Sequence, residues 1–150
     1  MSELLHEARF TVALPLPSAT AWPLLERDID AWWPAMYRAV ASPSRMRFSA
    51  TLGGRLEELG ANGEGVLWYV VQAVTPGQSI TLAGHIAPPF GGPALSLLRL
   101  TLSDQPDGSS CLEIHDSIMG RIDPAMVESG WRDIFAGFAA HLAALPGGAG

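Results

Sequence analysis

The apolar residues of this chain keep two different periods, and the change of period divides it into strands and helices. Arg9-Phe10-Thr11-Val12-Ala13-Leu14 alternates, which predicts a first strand with Phe10, Val12 and Leu14 inward. Pro15 and Pro17 end it. Ser18 is placed to cap a short helix carrying Trp22, Leu24 and Leu25, with Pro23 kinking or interrupting it. Residues 28–34 predict a second short helix or helical turn. Strand-like segments then follow over residues 45–50, 55–59, 65–75, 78–86, 94–103 and 111–120. Gly53-Gly54 marks a bend or bulge, and Asn62-Gly63 and Pro76-Gly77 mark turns. The Pro/Gly-rich residues 88–93 form an irregular loop, and residues 104–108 join the last two strands.

Beyond residue 122 the spacing becomes three and four. Val127, Trp131, Ile134, Phe135, Phe138, Leu142 and Leu145 place one broad apolar stripe on a helix over residues 123–145. Asp123 is its N-cap, Pro124 occupies the first turn, and Glu128 lies near the positive end of the dipole. Pro146-Gly147-Gly148 stops it. At about 1.5 Å per residue this helix is roughly 33 Å long. The order is one strand, two short helices, about six antiparallel strands joined by hairpins, and one long helix. That is an α+β class, with a curved antiparallel sheet of six to seven strands and the helices on one side. A long helix over a concave sheet leaves room for an apolar pocket.

Length and composition narrow the classes. The 150 residues suffice for one domain with its own core, with residues 146–150 as a frayed tail. The chain is 48% hydrophobic and 16% charged, yet no apolar run is long enough to span a bilayer. The first residues carry no basic and apolar leader pattern, so a cytoplasmic location is the expectation. Cys111 is the only cysteine, which excludes an internal disulfide. The net charge is −6 and there is no basic run, so nucleic acid is not an expected partner. All nine cations are arginine, so no lysine Schiff base can form. No P-loop, dinucleotide fingerprint or Gly-x-Ser-x-Gly elbow occurs, and no spacing matches a zinc site; no cofactor or metal is expected. The oligomeric state is left open, a homodimer being one candidate.

Asp30-Ala31-Trp32-Trp33-Pro34, Gly53-Gly54-Arg55-Leu56-Glu57-Glu58, Glu64-Gly65 leading into Trp68, and Gly130-Trp131 resemble the SRPBCC (START/Bet v 1-like) superfamily. The pattern is most similar to its bacterial branch related to the activator of Hsp90 ATPase domain. The resemblance covers residues 8–145. It implies the helix-grip fold, a curved sheet gripping the C-terminal helix around a ligand cavity. It also implies that Glu58, three positions after the Gly-Gly-Arg arginine, points into that cavity. Pro76-Gly77-Gln78 and Leu82-Ala83-Gly84 depart from the family's Pro-Pro-Arg-Arg-like turn and following tryptophan.

Strand alternation assigns Val66, Trp68, Val70, Gln72 and Val74 to one face, and Leu112, Ile114, Asp116 and Ile118 to another. Each row contains one polar interruption, Gln72 and Asp116, expected in the pocket or at its mouth. A buried carboxylate needs a partner or a proton, and Arg99, which shares a face with Leu95 and Leu97, is the expected partner of Asp116. Trp33, Tyr37, Trp68, Phe90, Trp131, Phe135 and Phe138 are the aromatic candidates for the wall, Phe138 best suited to plain core. Phe90, in its Pro/Gly loop, is placed to act as a lid. His85 and His115 sit in strand patterns, and His115 faces away from Asp116. His141 is expected on the helix surface, and Cys111 is structural.

Three functions follow. The first is binding of a small hydrophobic molecule, lipid-like, aromatic or polyketide-like, oriented by Glu58, Gln72, Arg99 or Asp116. The second is a cyclase, dehydratase or hydrolase using Glu58 or Asp116 as general base, which requires convergent polar groups at the pocket floor. The third, by analogy with Hsp90 co-chaperones, is protein interaction through an apolar patch outside the cavity.

Overall fold

The computed structural model describes residues 4–41 and 43–146. The strands are β1 (Leu5–Leu14), β2 (Ser44–Phe48), β3 (Arg55–Gly60), β4 (Gly65–Thr75), β5 (Ser79–Ile86), β6 (Ala94–Asp104) and β7 (Ser110–Gly120). The helices are α1 (Ser18–Arg27), α2 (Ile29–Trp32) and α3 (Pro124–Ala144). Single 3-10 turns span Ala35–Tyr37 and Pro88–Phe90, the second inside the loop read as irregular. The expected frayed tail beyond Pro146 lies outside the described residues.

All seven strands form one antiparallel sheet in the order β1-β7-β6-β5-β4-β3-β2. β1 and β2 therefore occupy opposite edges, and α1 and α2 carry the chain from one edge to the other. The sheet is curved and open, with α3 alongside β1 and against α2; this is the helix-grip fold. Hairpin turns fall where glycine can take a left-handed backbone, as at Gly63 (φ 91°) and Gly77 (φ 79°). Asp123 caps α3 by accepting from the Ala125 N–H, and Pro124 follows at the first turn.

Two local expectations fail at α1. Ser18 does not cap the helix; its N–H and hydroxyl both donate to Asp104, tying α1 to the end of β6. Pro23 does not interrupt the helix, which runs through it from Ser18 to Arg27.

The concave side is the core. Phe10, Leu14, Leu112, Ile114 and Leu100 from the sheet meet Ile134, Phe135, Phe138 and Leu142 from α3 and Trp32 from α2. Burying each such side chain contributes roughly 1.5–3 kcal/mol. The C-terminal half of α3 seals down tightly. A Cβ on Gly137 would stand 2.9 Å from the Trp32 carbonyl oxygen and 3.2 Å from Pro34 Cγ, so glycine permits this approach.

Two β-bulges reset the inward face of β4. Leu56 pairs with Tyr69 but Glu57 pairs with Leu67, skipping Trp68; Val71 pairs with Leu82 but Ala73 pairs with Thr81, skipping Gln72. The inward set is therefore Val66, Trp68, Tyr69, Val71 and Val74 rather than a simple alternation. Gln72, expected inside, is exposed. The convex face carries an exposed apolar row, Leu5, Met119 and Leu95, aligned across β1, β7 and β6.

Candidate functional site

A cavity of about 820 Å³ opens between the N-terminal half of α3 and the far part of the sheet. Val127, Gly130, Trp131 and Ile134 from α3 roof it, and Trp68, Tyr69, Gly84 and Ile86 from β4 and β5 form the opposite wall. Met36, Leu67, Phe90 and Met126 line it and are exposed, so they mark its mouth. Tyr37 reaches α3 across this opening, its hydroxyl donating to Asp133 at 2.6 Å. That bond raises the phenol's pKa.

Asp116, on β7, lies at the floor with no exposed surface. Ser96 donates to its Oδ1 at 2.6 Å, and Trp131 Nε1 donates to its Oδ2 at 2.9 Å. Tyr69 OH is 2.6 Å from Ser96 Oγ. Because the Ser96 proton goes to Asp116, Tyr69 donates to Ser96, and a directed row runs Tyr69 to Ser96 to Asp116. The row crosses four strands, from β4 over Gly84 of β5 to β6 and β7. Glycine at 84 is required: a Cβ there would stand 2.8 Å from the Tyr69 ring. Burial pushes the Asp116 carboxyl above the usual carboxylate range; the bonds from Ser96 and Trp131 and the nearby His115 offset this only in part. Burial, with the Asp116 charge adding to it, pushes the Tyr69 phenol upward too.

Glu58 is equally buried but is committed elsewhere. Its carboxylate accepts from Ala39 N–H at 2.8 Å, Val40 N–H at 2.9 Å, Ser44 Oγ at 2.8 Å and Trp68 Nε1 at 3.3 Å. Burial raises its pKa, but these four donors outweigh that and hold it below the usual range. Glu58 points inward but does not line the cavity. It pins the segment between α2 and β2 onto the sheet.

The remaining expected residues divide. Tyr37, Trp68, Phe90, Asp116 and Trp131 come together around the cavity. Trp33 and Phe135 do not line it; Trp33 packs edge-on to Trp68 at 5.3 Å and Phe135 stacks on Trp131 at 5.7 Å, so both support the wall from the core. Gln72 is turned out by its bulge. Arg99 lies exposed on the convex face with Leu95 and Leu97, because Ser96, Leu98 and Leu100 are the inward residues of β6. The partner of Asp116 is therefore Ser96, a residue that alternation in β6 could have nominated as the one polar inward position. Tyr69 was missed because its inward orientation comes from the bulge.

His85 lines the mouth; His115 lies on the face opposite Asp116, 3.6 Å from Glu7. His141, expected at the surface, is half-buried, its Nε2 2.9 Å from Asp28 Oδ2. Arg38 also lines the cavity. Its guanidinium donates to the Asp30 carboxylate and to the carbonyls of Asp30, Ser44 and Trp33, while Nε has no hydrogen-bond partner among the described residues. Among the described residues no three His, Cys, Asp or Glu side chains are grouped to hold a metal ion, and no helix is long and apolar enough to cross a membrane.

Neither a model of a known protein family nor a curated protein sequence matches this chain. Solved structures do. Protein MLL2253 from Mesorhizobium loti aligns with TM-score 0.68 at 20% identity, over 94% of this chain and 99% of that one. Ara h 8.0201 aligns with TM-score 0.66 at 12% identity, over 94% and 99%. Txn09, an anthrahydroquino-gamma-pyrone synthase, aligns with TM-score 0.60 at 16% identity, over 93% and 99%. The chain thus shares the helix-grip fold with these proteins.

Proposed function

We propose that this protein binds a small hydrophobic molecule in the cavity between α3 and the sheet. One observation carries the reading: an opening of about 820 Å³, walled chiefly by apolar and aromatic side chains, with a few polar groups converging at its floor. That volume is within the usual range for small-molecule sites. Neighbours of the same fold include a synthase of a fused aromatic pyrone, which supports an aromatic or polyketide-like guest. The test is to titrate 2-naphthylmethanol, neutral and aromatic, while following tryptophan fluorescence, since Trp68 and Trp131 are in the wall. Saturable quenching is expected, and Gly130→Leu, which drives a side chain into the cavity, should abolish it. Quenching unchanged in that variant would sink the reading.

A second reading, catalysis with Asp116 as general acid or base, is supported by its burial among aromatic groups and its link through Ser96 to Tyr69. Glu58 is not a candidate base, because its lone pairs are taken by four donors. Turnover would have to vanish in Asp116→Asn while binding survived. Resemblance to the activator-of-Hsp90-ATPase-like branch rests on residues 30–34, 53–58, 64–68 and 130–131, and the convex row of Leu5, Met119 and Leu95 is the surface a protein-interaction role would use.

A further inference from the structure

The charges around the cavity do not balance. Arg38 lines it, but its guanidinium is engaged by Asp30 and by three backbone carbonyls. Asp116 has no such partner among the described residues: its oxygens meet only the neutral Ser96 hydroxyl and Trp131 indole N–H. Asp123 adds a second carboxylate at the mouth. Between Asp116 and the open space stand the rings of Tyr69 and Trp131, with centroids 5.9 Å apart. Trp68 completes the wall, held by Trp33 behind it.

A buried carboxylate behind aromatic rings, in its ionised form, makes the rings more attractive to a cation. An aromatic ring carries negative density on its faces, and a carboxylate hydrogen-bonded to the Trp131 indole N–H adds to it. The apolar surroundings screen this field less than water would.

We propose that the cavity selects lipophilic cations, a protonated or quaternary amine on an apolar body, and that Asp116, seated behind Trp131 and Tyr69, sets this preference. The carboxylate need not touch the guest. The guest's cation rests against the rings and its apolar body fills the remaining space toward Ile86, Phe90 and Val127. This assignment rests on the cavity being a ligand site.

Three ligands of matched shape test it: 2-naphthylmethyl-trimethylammonium, 2-naphthylmethanol and 2-naphthoate, each titrated by calorimetry against the full chain. The ammonium compound is expected to bind about tenfold or more tighter than the alcohol, the size of a desolvated cation–aromatic contact, with the carboxylate weakest. The preference should persist from about 50 to about 500 mM salt, because a buried charge is screened little, whereas attraction to the net negative surface would fade. Asp116→Asn should lower the ammonium-to-alcohol ratio at least several-fold, the ratio and not the alcohol's own affinity being the readout. Ser96→Ala, which keeps the carboxylate, should retain the preference, so the proposal stays testable if the Asn variant does not fold. Equal binding of ammonium and alcohol, a preference undiminished by Asp116→Asn, or one that disappears with salt overturns the proposal while leaving hydrophobic ligand binding intact. Failure of all three ligands to bind removes the ligand site itself, and the proposal with it.

Discussion

Glu58 and Asp116 are both carboxylates on the concave side, and neither has any exposed surface. They differ in what surrounds them. Glu58 meets four donors, two of them backbone N–H groups of the segment that joins α2 to β2. Asp116 meets two, and beyond those lies a hollow. The same functional group is a fastener in one place and an unspent charge in the other. Burial alone therefore does not mark a functional carboxylate; the number of donors and the presence of open space beside it do.

The largest expected effect is at the fastener. Glu58→Ala leaves two backbone N–H groups, a serine and an indole N–H without their acceptor, and should cost about 3–5 kcal/mol in urea unfolding. Asp116→Asn should cost less than half of that, since it removes a charge that burial already disfavours. Losses of equal size would erase the distinction between the two sites.

Acid titration should separate them further, by sign. The folded pKa of Glu58 is lowered, so its contribution is present above the unfolded value and is lost as pH falls through the folded value. The folded pKa of Asp116 is raised, so its charge lowers stability at neutral pH and that penalty disappears as pH falls towards the unfolded value. The difference in unfolding free energy between wild type and Glu58→Gln should favour wild type at neutral pH and close on acidification. The corresponding difference for Asp116→Asn should contain a term of opposite sign, closing over the window just above the unfolded pKa. The groups facing Asp116 are Tyr69, Ser96 and Trp131, with His115 next to it on the other face; none of the first three titrates in that window.

The smallest effect concerns the hollow itself. Gly130 sits in the middle of α3 over the cavity, and an added Cβ would meet only Tyr37 Cε1, at 3.5 Å. Gly130→Ala should raise stability by up to about 1 kcal/mol through helix propensity. It should also weaken 2-naphthylmethanol binding several-fold, measured by fluorescence titration. A destabilised variant would mean that α3 is packed shut above Asp116, as it is at Gly137.

The architecture was legible because hydrophobic period and turn residues agree along the chain. Strand and helix limits at β4, β7 and α3 follow from alternation, glycine turns and the Asp123-Pro124 cap. Asp116 was legible as a polar break in the Leu112-Ile114-Ile118 row. The misplacements on β4 share one cause: alternation assumes an unbroken ladder. The skip at Trp68 brought Tyr69 inside, and the skip at Gln72 left that residue in solvent. Arg99 was a different error, a choice of charge complementarity over strand parity, although Ser96 and Leu98 on the same strand are the inward residues. The donors to Glu58 could not be read at all, because a loop's backbone N–H groups carry no sequence signal.

Gly84 leaves a trough in the β layer, and the Tyr69 ring lies in it. A single methyl at that position would meet the Trp68 carbonyl oxygen at 2.5 Å and the Tyr69 ring at 2.8 Å. The cavity wall and the hydrogen-bonded row of Tyr69, Ser96 and Asp116 beneath it thus both depend on the absence of a side chain at one strand position.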